Sequence, residues 1–149
     1  MAGAPSLRAR ALRLLAARER SREELRRKLA GDDADPGELE AVLDELQGNG
    51  LLSEARLVEQ LTHAARGRYG SRRVLERLRE RGVESEALDR AEQALKVQEL
   101  ESARAVWRKR FGRPPTSLQE KARQARFLAG RGFSSEVIHR VLGGEHEDQ

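Results

Sequence analysis

The chain has 149 residues, of which 36% are charged and 3% aromatic, with a formal net charge of +4 and no cysteine. Disulfides and thiolate metal sites are therefore excluded, and the length allows one compact domain or a short array of small ones. No apolar run approaches a membrane span or a signal-peptide core, because Ala9–Ala17 is short and punctuated by Arg10 and Arg13, so a soluble protein in a reduced, cytoplasmic setting is expected.

The apolar supply is Leu, Ala and Val, which favours helix over sheet and thin helical layers over a thick core. Residues 1–6 are small and polar and read as frayed. Leu7, Ala11, Leu12, Leu14 and Leu15 then recur at helical spacing, predicting a first helix that runs to about Arg20. Ser21-Arg22-Glu23-Glu24 is a capping box that opens a second helix carrying Leu25 and Leu29. Glu23 and Glu24 precede Arg27 and Lys28 by four residues and hold part of that helix's positive charge locally. After Gly31 and an acidic loop, Asp35 at the N-cap and Pro36 at the first helical position start a third helix with Leu39, Val42, Leu43 and Leu46 inward. Ser53 caps a fourth, with Leu57, Val58 and Leu61 inward. Ser71 and Gly82 bound a fifth, Ser85 caps a sixth with Leu88, Ala91 and Leu95, and a separate helix is expected from about Glu99 to Phe111. Beyond Gly112–Pro115, Ser117 and Glu120 form a second capping box, and Ser134 or Ser135 caps a closing helix with Val137, Ile138 and Val141. The acidic tail, 145–149, reads as loose.

The chain repeats itself. A shift of 50 places Arg81-Gly82 on Arg131-Gly132 and Leu78 on Leu128; a shift of 49 places Leu25 on Val74 and Leu29 on Leu78. The fold class that follows is all-α, with three tandem three-helix repeats of about 50 residues forming an extended, curved molecule. The expected divisions are 7–66 (with an additional leading helix), 67–113 and a truncated 114–144. Charge follows the repeat: residues 1–30 carry net +6, 31–48 net −7, 66–82 net +5, 83–101 net −4 and 102–140 net +8. Such a surface suits a partner of alternating charge or a polyphosphate backbone.

Arg66–Gly82 is the most basic short segment, with seven arginines and two glutamates. Arg73, Arg77 and Arg81 form an i, i+4 stripe that repels itself by a few tenths of a kcal/mol per pair, which folding does not require. A solvated face with local Arg73–Glu76 and Arg77–Glu80 pairs would account for it equally. No catalytic, cofactor or metal constellation is visible. His63, His139 and His146 are far apart and none has a second ligand at metal spacing. The glycines of 66–70 and 129–133 follow no strand and lack a Walker lysine, so they read as helix stops. Trp107 and Phe111 read as core, while Tyr69 fits an interface contact and packing against the next repeat equally well.

Four stretches now carry a resemblance over essentially the whole chain: Ala11–Leu15 followed by SREELRRKL (21–29), GNGLLSEARLV (48–58), RYGSRRVLERLRERGV (68–83) and ARFLAGRGF (125–133). In this order and spacing they resemble RecX, the bacterial regulatory family of the RecA recombinase. Leu51 and Leu57 stand where the family often has aromatics, and both read as smaller core residues. The resemblance implies three tandem three-helix repeats, no enzymatic activity, and binding in the helical groove of a RecA-type recombinase–DNA filament. It also implies suppression of filament extension, ATP hydrolysis and strand exchange, with single- or double-stranded DNA bound by some members.

Basic charge in excess of nearby acids, on or beside these stretches, selects Arg22, Arg26, Arg66, Arg68, Tyr69, Arg72, Arg73, Arg77 and Arg126 as contact residues of a monomer. Two rival readings stand beside it. A helix-turn-helix over 71–95 would have to place Glu84, Glu86, Asp89 and Glu92 against phosphate-lined walls, which leaves backbone binding more plausible than base readout. The other is a helical-repeat scaffold for some other acidic partner.

Overall fold

The computed structural model describes residues 3, 5–31 and 34–143, so Asp32, Asp33, His146 and the acidic tail lie outside the described residues. Eight helices and no strand occur among those described: α1 (Leu7–Ala17), α2 (Arg22–Leu29), α3 (Pro36–Gly48), α4 (Glu54–Ala65), α5 (Ser71–Glu80), α6 (Ser85–Arg110), α7 (Leu118–Gly130) and α8 (Ser135–Leu142). Local chemistry sets most starts. Ser21 and Glu24 form the full capping box, Asp35 accepts from the Gly37 N–H, and Ser53, Ser117 and Ser134 each accept from the N–H three residues on. Ser6, expected in a frayed end, caps α1 by accepting from the Ala9 N–H.

Four expectations are corrected. The N-cap of α5 is Gly70; Ser71 is the first helical residue, and its hydroxyl is spent on Glu99. Ser85 likewise begins α6 behind Glu84, with no side-chain cap. The second box is half-formed, because Glu120 turns to the N–H and hydroxyl of Thr116 at 2.8 and 2.9 Å. Finally, the two helices expected over 85–111 are one helix of 26 residues. No glycine or proline interrupts it, and its buried stripe runs unbroken through Ala91, Leu95, Glu99, Ser102, Ala103 and Val106.

Three core clusters result. The first takes Leu7 and Ala11 of α1, Leu25 and Leu29 of α2, and Leu39, Leu43 and Leu46 of α3. A second joins Leu57 and Ala65 of α4, Val74 and Leu78 of α5, and Ala87 to Leu95 of α6. Ala103 and Val106 of α6 pack with Leu128 of α7 and Ile138 and Val141 of α8 in the third. Each cluster is fed by three helices, α6 serving two of them, so the cores run across the divisions placed at 66/67 and 113/114. Each buried leucine contributes about 1.5–3 kcal/mol. Of the two departures from the family pattern, Leu57 is core but Leu51 is 45% exposed.

The units are joined twice by the same pair of contacts. Glu54, at the start of α4, accepts from the Arg22 N–H opening α2 (3.0 Å) and from the Glu84 N–H at the N-cap of α6 (3.2 Å). Glu99, buried in mid-α6, accepts from the N–H and hydroxyl of Ser71 opening α5 (3.4 and 3.2 Å) and from the Ser134 N–H at the N-cap of α8 (3.1 Å). In both, one carboxylate bridges two helix N-termini, where unpaired N–H groups and the helix dipole favour an anion. The second contact is an arginine–glycine turn. The carbonyl of Arg81, C-cap of α5, accepts from the Ser21 hydroxyl, and its guanidinium donates to the Glu19 carbonyl at 2.9 Å and to Glu24 at 3.1 Å. The carbonyl of Arg131, C-cap of α7, accepts from the Gly70 N–H at 2.9 Å, and its guanidinium donates to the Arg68 carbonyl at 3.2 Å. Gly82 and Gly132 follow at φ of +79° and +95°, and a Cβ at either would lie 2.6–2.7 Å from the Cβ of Glu23 or Arg73.

Within the first unit, Arg26 and Arg22 of α2 meet Glu40 of α3 at 2.8 and 2.9 Å, and Arg22 also meets Asp44 at 2.7 Å. Hydrogen bonds from Arg26, then Arg22, bring the Glu40 carboxyl from its ordinary 4.5 down to about 2. A depressed folded-state value means that the pair stabilises fully above 4.5 and is lost as pH falls toward 2. Acid titration followed by helical circular dichroism is expected to show stability falling across that window, less steeply at high salt, and less steeply again in Glu40→Gln.

Glu99→Ala removes the acceptor of three part-buried hydrogen bonds and is expected to lower unfolding free energy in urea by about 1–3 kcal/mol. Glu99→Gln keeps an acceptor and loses less.

A candidate interaction face where the second and third units meet

The loop from α4 to α5 is fixed on the central turns of α6. Gln98 accepts from Arg66 Nε at 3.2 Å and donates to the Thr62 carbonyl at 3.1 Å, while the Ser102 hydroxyl accepts from the Gly67 N–H at 2.9 Å. The segment from Arg66 to Gly70 is thus tied to the helix it crosses. Its last residue, Gly70, packs so closely on the 131–133 turn that a Cβ there would land on the Gly132 carbonyl.

Around this contact, cations and rings alternate. The Arg73 guanidinium lies 4.2 Å from the centroid of Tyr69, and that of Arg131 lies 5.4 Å from Tyr69 and 5.2 Å from Phe127. Arg110 continues the series at 5.2 Å from Phe127 and 5.7 Å from Phe111, and the two phenylalanines meet edge to face at 5.5 Å. Each such contact contributes about 0.5–1 kcal/mol at a partly exposed site and holds a guanidinium plane against a ring.

Of the residues selected from sequence, Arg68, Tyr69, Arg73 and Arg77 come together and line one recess between α4 and α5. The Arg73–Glu76 and Arg77–Glu80 pairs do not form; Glu76 is taken by Arg72 at 3.4 Å instead. Arg72 also donates to the Ala129 carbonyl near the end of α7 at 2.7 Å. Arg66 stands at the edge of this group, held by Gln98. Arg22 and Arg26 are elsewhere, occupied by the acids of α3, and Arg126 lies on α7 beside its groove with α8. Sequence reasoning missed Arg110, Phe111, Phe127 and Arg131. The aromatic residues read as core, and Arg131-Gly132 as a helix stop; the match of Arg131 to Arg81 was the available signal. Among the described residues, no group of three or more His, Cys, Asp or Glu is placed to hold a metal, and no helix is long and apolar enough to cross a membrane.

Fold and face define a tandem array of three-helix units with a basic, aromatic-laced junction. Family models describing the first and third three-helix domains of RecX match residues 8–46 and 97–142. The regulatory protein RecX of Leptothrix cholodnii is 51% identical over 95% of this chain and 91% of its own length. That of Ralstonia nicotianae is 44% identical over 93% and 87%, and that of Chromobacterium violaceum 46% over 96% and 93%. The crystal structure of RecX from Lactobacillus salivarius superposes with a TM-score of 0.80 over 92% of each chain at 16% identity. A second crystal structure, of a regulatory protein RecX, gives 0.71 over 96% of this chain and 72% of that one at 19% identity; both show the shared fold. The chain belongs to the RecX family of regulatory proteins.

Arg131→Ala removes two ring contacts and the bond to the Arg68 carbonyl. It is expected to cost about 1–2 kcal/mol in chemical denaturation, with the loss only partly restored by Arg131→Lys, whose ammonium lacks the planar fork.

Proposed function

We propose that this protein is a non-enzymatic modulator, mainly an inhibitor, of a RecA-type recombinase in the cytoplasm. It acts as a monomer lying along the groove of the recombinase–DNA filament, bridging neighbouring subunits and limiting filament extension, ATP hydrolysis and strand exchange. The observation that carries the reading is the junction face: Arg68, Arg73 and Arg77 stand beside Tyr69, with no carboxylate within ion-pair distance among the described residues. Consecutive units joined by fixed turns suit a partner that repeats along an axis. Membership of the regulatory family supports the same partner class.

A second reading, direct binding of a nucleic-acid backbone, is favoured by residues 102–140, which carry net +8. Arg108, Lys109, Arg110, Arg113, Lys121 and Arg126 there form no ion pair with an acid among the described residues. Such binding falls log-linearly with salt concentration. Base readout by α6 is disfavoured, since Glu84, Glu86, Asp89 and Glu92 are all exposed on it.

Sub-equimolar amounts of the protein are expected to depress ATP hydrolysis by the cognate recombinase on single-stranded DNA, and Arg73→Glu/Arg77→Glu to relieve that loss about tenfold or more while the helical spectrum is kept. Unchanged hydrolysis with salt-sensitive binding to naked DNA would favour the second reading.

A further inference from the structure

The outer groove between the middle and last helix of a unit occurs three times, and its third copy differs from its first. Leu29 of α2 and Leu128 of α7 hold the same fully buried position, so Arg22 and Arg26 correspond to Lys121 and Ala125. Counted from the N-caps Asp35 and Ser134, Glu40 and Asp44 correspond to His139 and Gly143. In the first unit, ion pairs from Arg22 and Arg26 to those two acids close the groove. In the third, both acids and both arginines are gone, one of the arginines being replaced by Lys121. What remains is an open cleft of about 540 Å³ floored by Leu118, Ala122, Ala125, Ala129, Ile138 and Leu142. Lys121, Arg126 and His139 rim it, and none has a carboxylate partner among the described residues. Leu118 is 85% exposed at its end, an unusual position for a leucine in a chain this polar.

We infer that the α7–α8 groove is a docking site for an acidic amphipathic helix from a partner protein. The floor is apolar and bordered by alanines that let a helix approach closely, and the rim offers cations whose intramolecular acids have been removed. A partner helix with leucine-type anchors at i, i+3 and i+7 and carboxylates on its flanks restores the Arg–Glu pairing of the first unit across two chains. Residues 144–149 read Gly-Glu-His-Glu-Asp-Gln and contain no apolar side chain. The inference is independent of the recombinase reading, because it concerns the opposite side of α7 from Phe127 and Arg131 and names only the chemistry of the partner.

The test titrates the isotopically labelled full chain, without recombinase or DNA, with a synthetic peptide of about 15 residues, four helical turns, built to that pattern. Amide shifts confined to α7 and α8 are expected. Leu118→Glu, at a site where no packing is lost, and Lys121→Glu should each weaken binding about tenfold or more. A peptide with lysine in place of every glutamate should not bind. Equal binding of the lysine peptide, shifts centred on α4 and α6, or no shifts at all would overturn the inference. So would a reversible dimer of the free chain that Leu118→Glu dissolves, which would assign the groove to a second copy.

Discussion

The arrangement depends on one kind of interaction, a carboxylate shared by two helix N-termini. Glu54 ties the start of α2 to the N-cap of α6, and Glu99 ties the start of α5 to the N-cap of α8. Each acid belongs to the first helix of one unit and reaches the middle helix of the unit before it. Neither unit can then satisfy its own helix ends alone. The neighbouring arginine–glycine turns add geometry to this coupling. Gly82 and Gly132 bring backbone within contact of the preceding middle helix, and Arg81 and Arg131 each grip the carbonyl two residues before that helix's N-cap. In each of these contacts a side chain meets backbone groups at a helix end, so the relation between units is set against the main chain.

This coupling explains how a chain with few aromatics and modest apolar content holds a defined surface. Its cores are thin, but α6 passes through two of them and carries the polar groups Gln98, Glu99 and Ser102 at the point of transfer. The basic face sits over that point. Charge is handled differently along the array. The first unit neutralises Arg22 and Arg26 with the acids of α3, whereas Lys121 and Arg126 of the third form no ion pair among the described residues. Net charge therefore says less about where a partner binds than the presence or absence of an internal acid does.

The sequence was most legible where the chemistry is local. The capping residues Ser21, Asp35 and Ser53 act within three residues of themselves and the structure has them as read, and of Ser134 and Ser135 it is Ser134 that caps α8. It was least legible where a residue serves a distant one. A separate helix was expected to begin near Glu99; the residue lies in mid-α6 and faces two other helix starts, those of α5 and α8. Arg22 and Arg26 stood out for basic charge over nearby acids; Arg26 also pairs with Glu23, but the acids of α3 that claim both lie 14–22 residues on. The match of Arg81-Gly82 to Arg131-Gly132 was visible as a repeat, but its role as a clamp needed the third dimension.

The C-caps of the three middle helices are Ala30, Arg81 and Arg131. Only the later two can grip a preceding unit. Joining of units by this contact is heterologous, the geometry that in identical copies continues into open fibres when rotation does not close a ring. With alanine at the leading end, one molecule has no plug to insert at the exposed start of another's α7. The guanidinium that joins the two later units to their predecessors thus has no counterpart at the C-cap of α2.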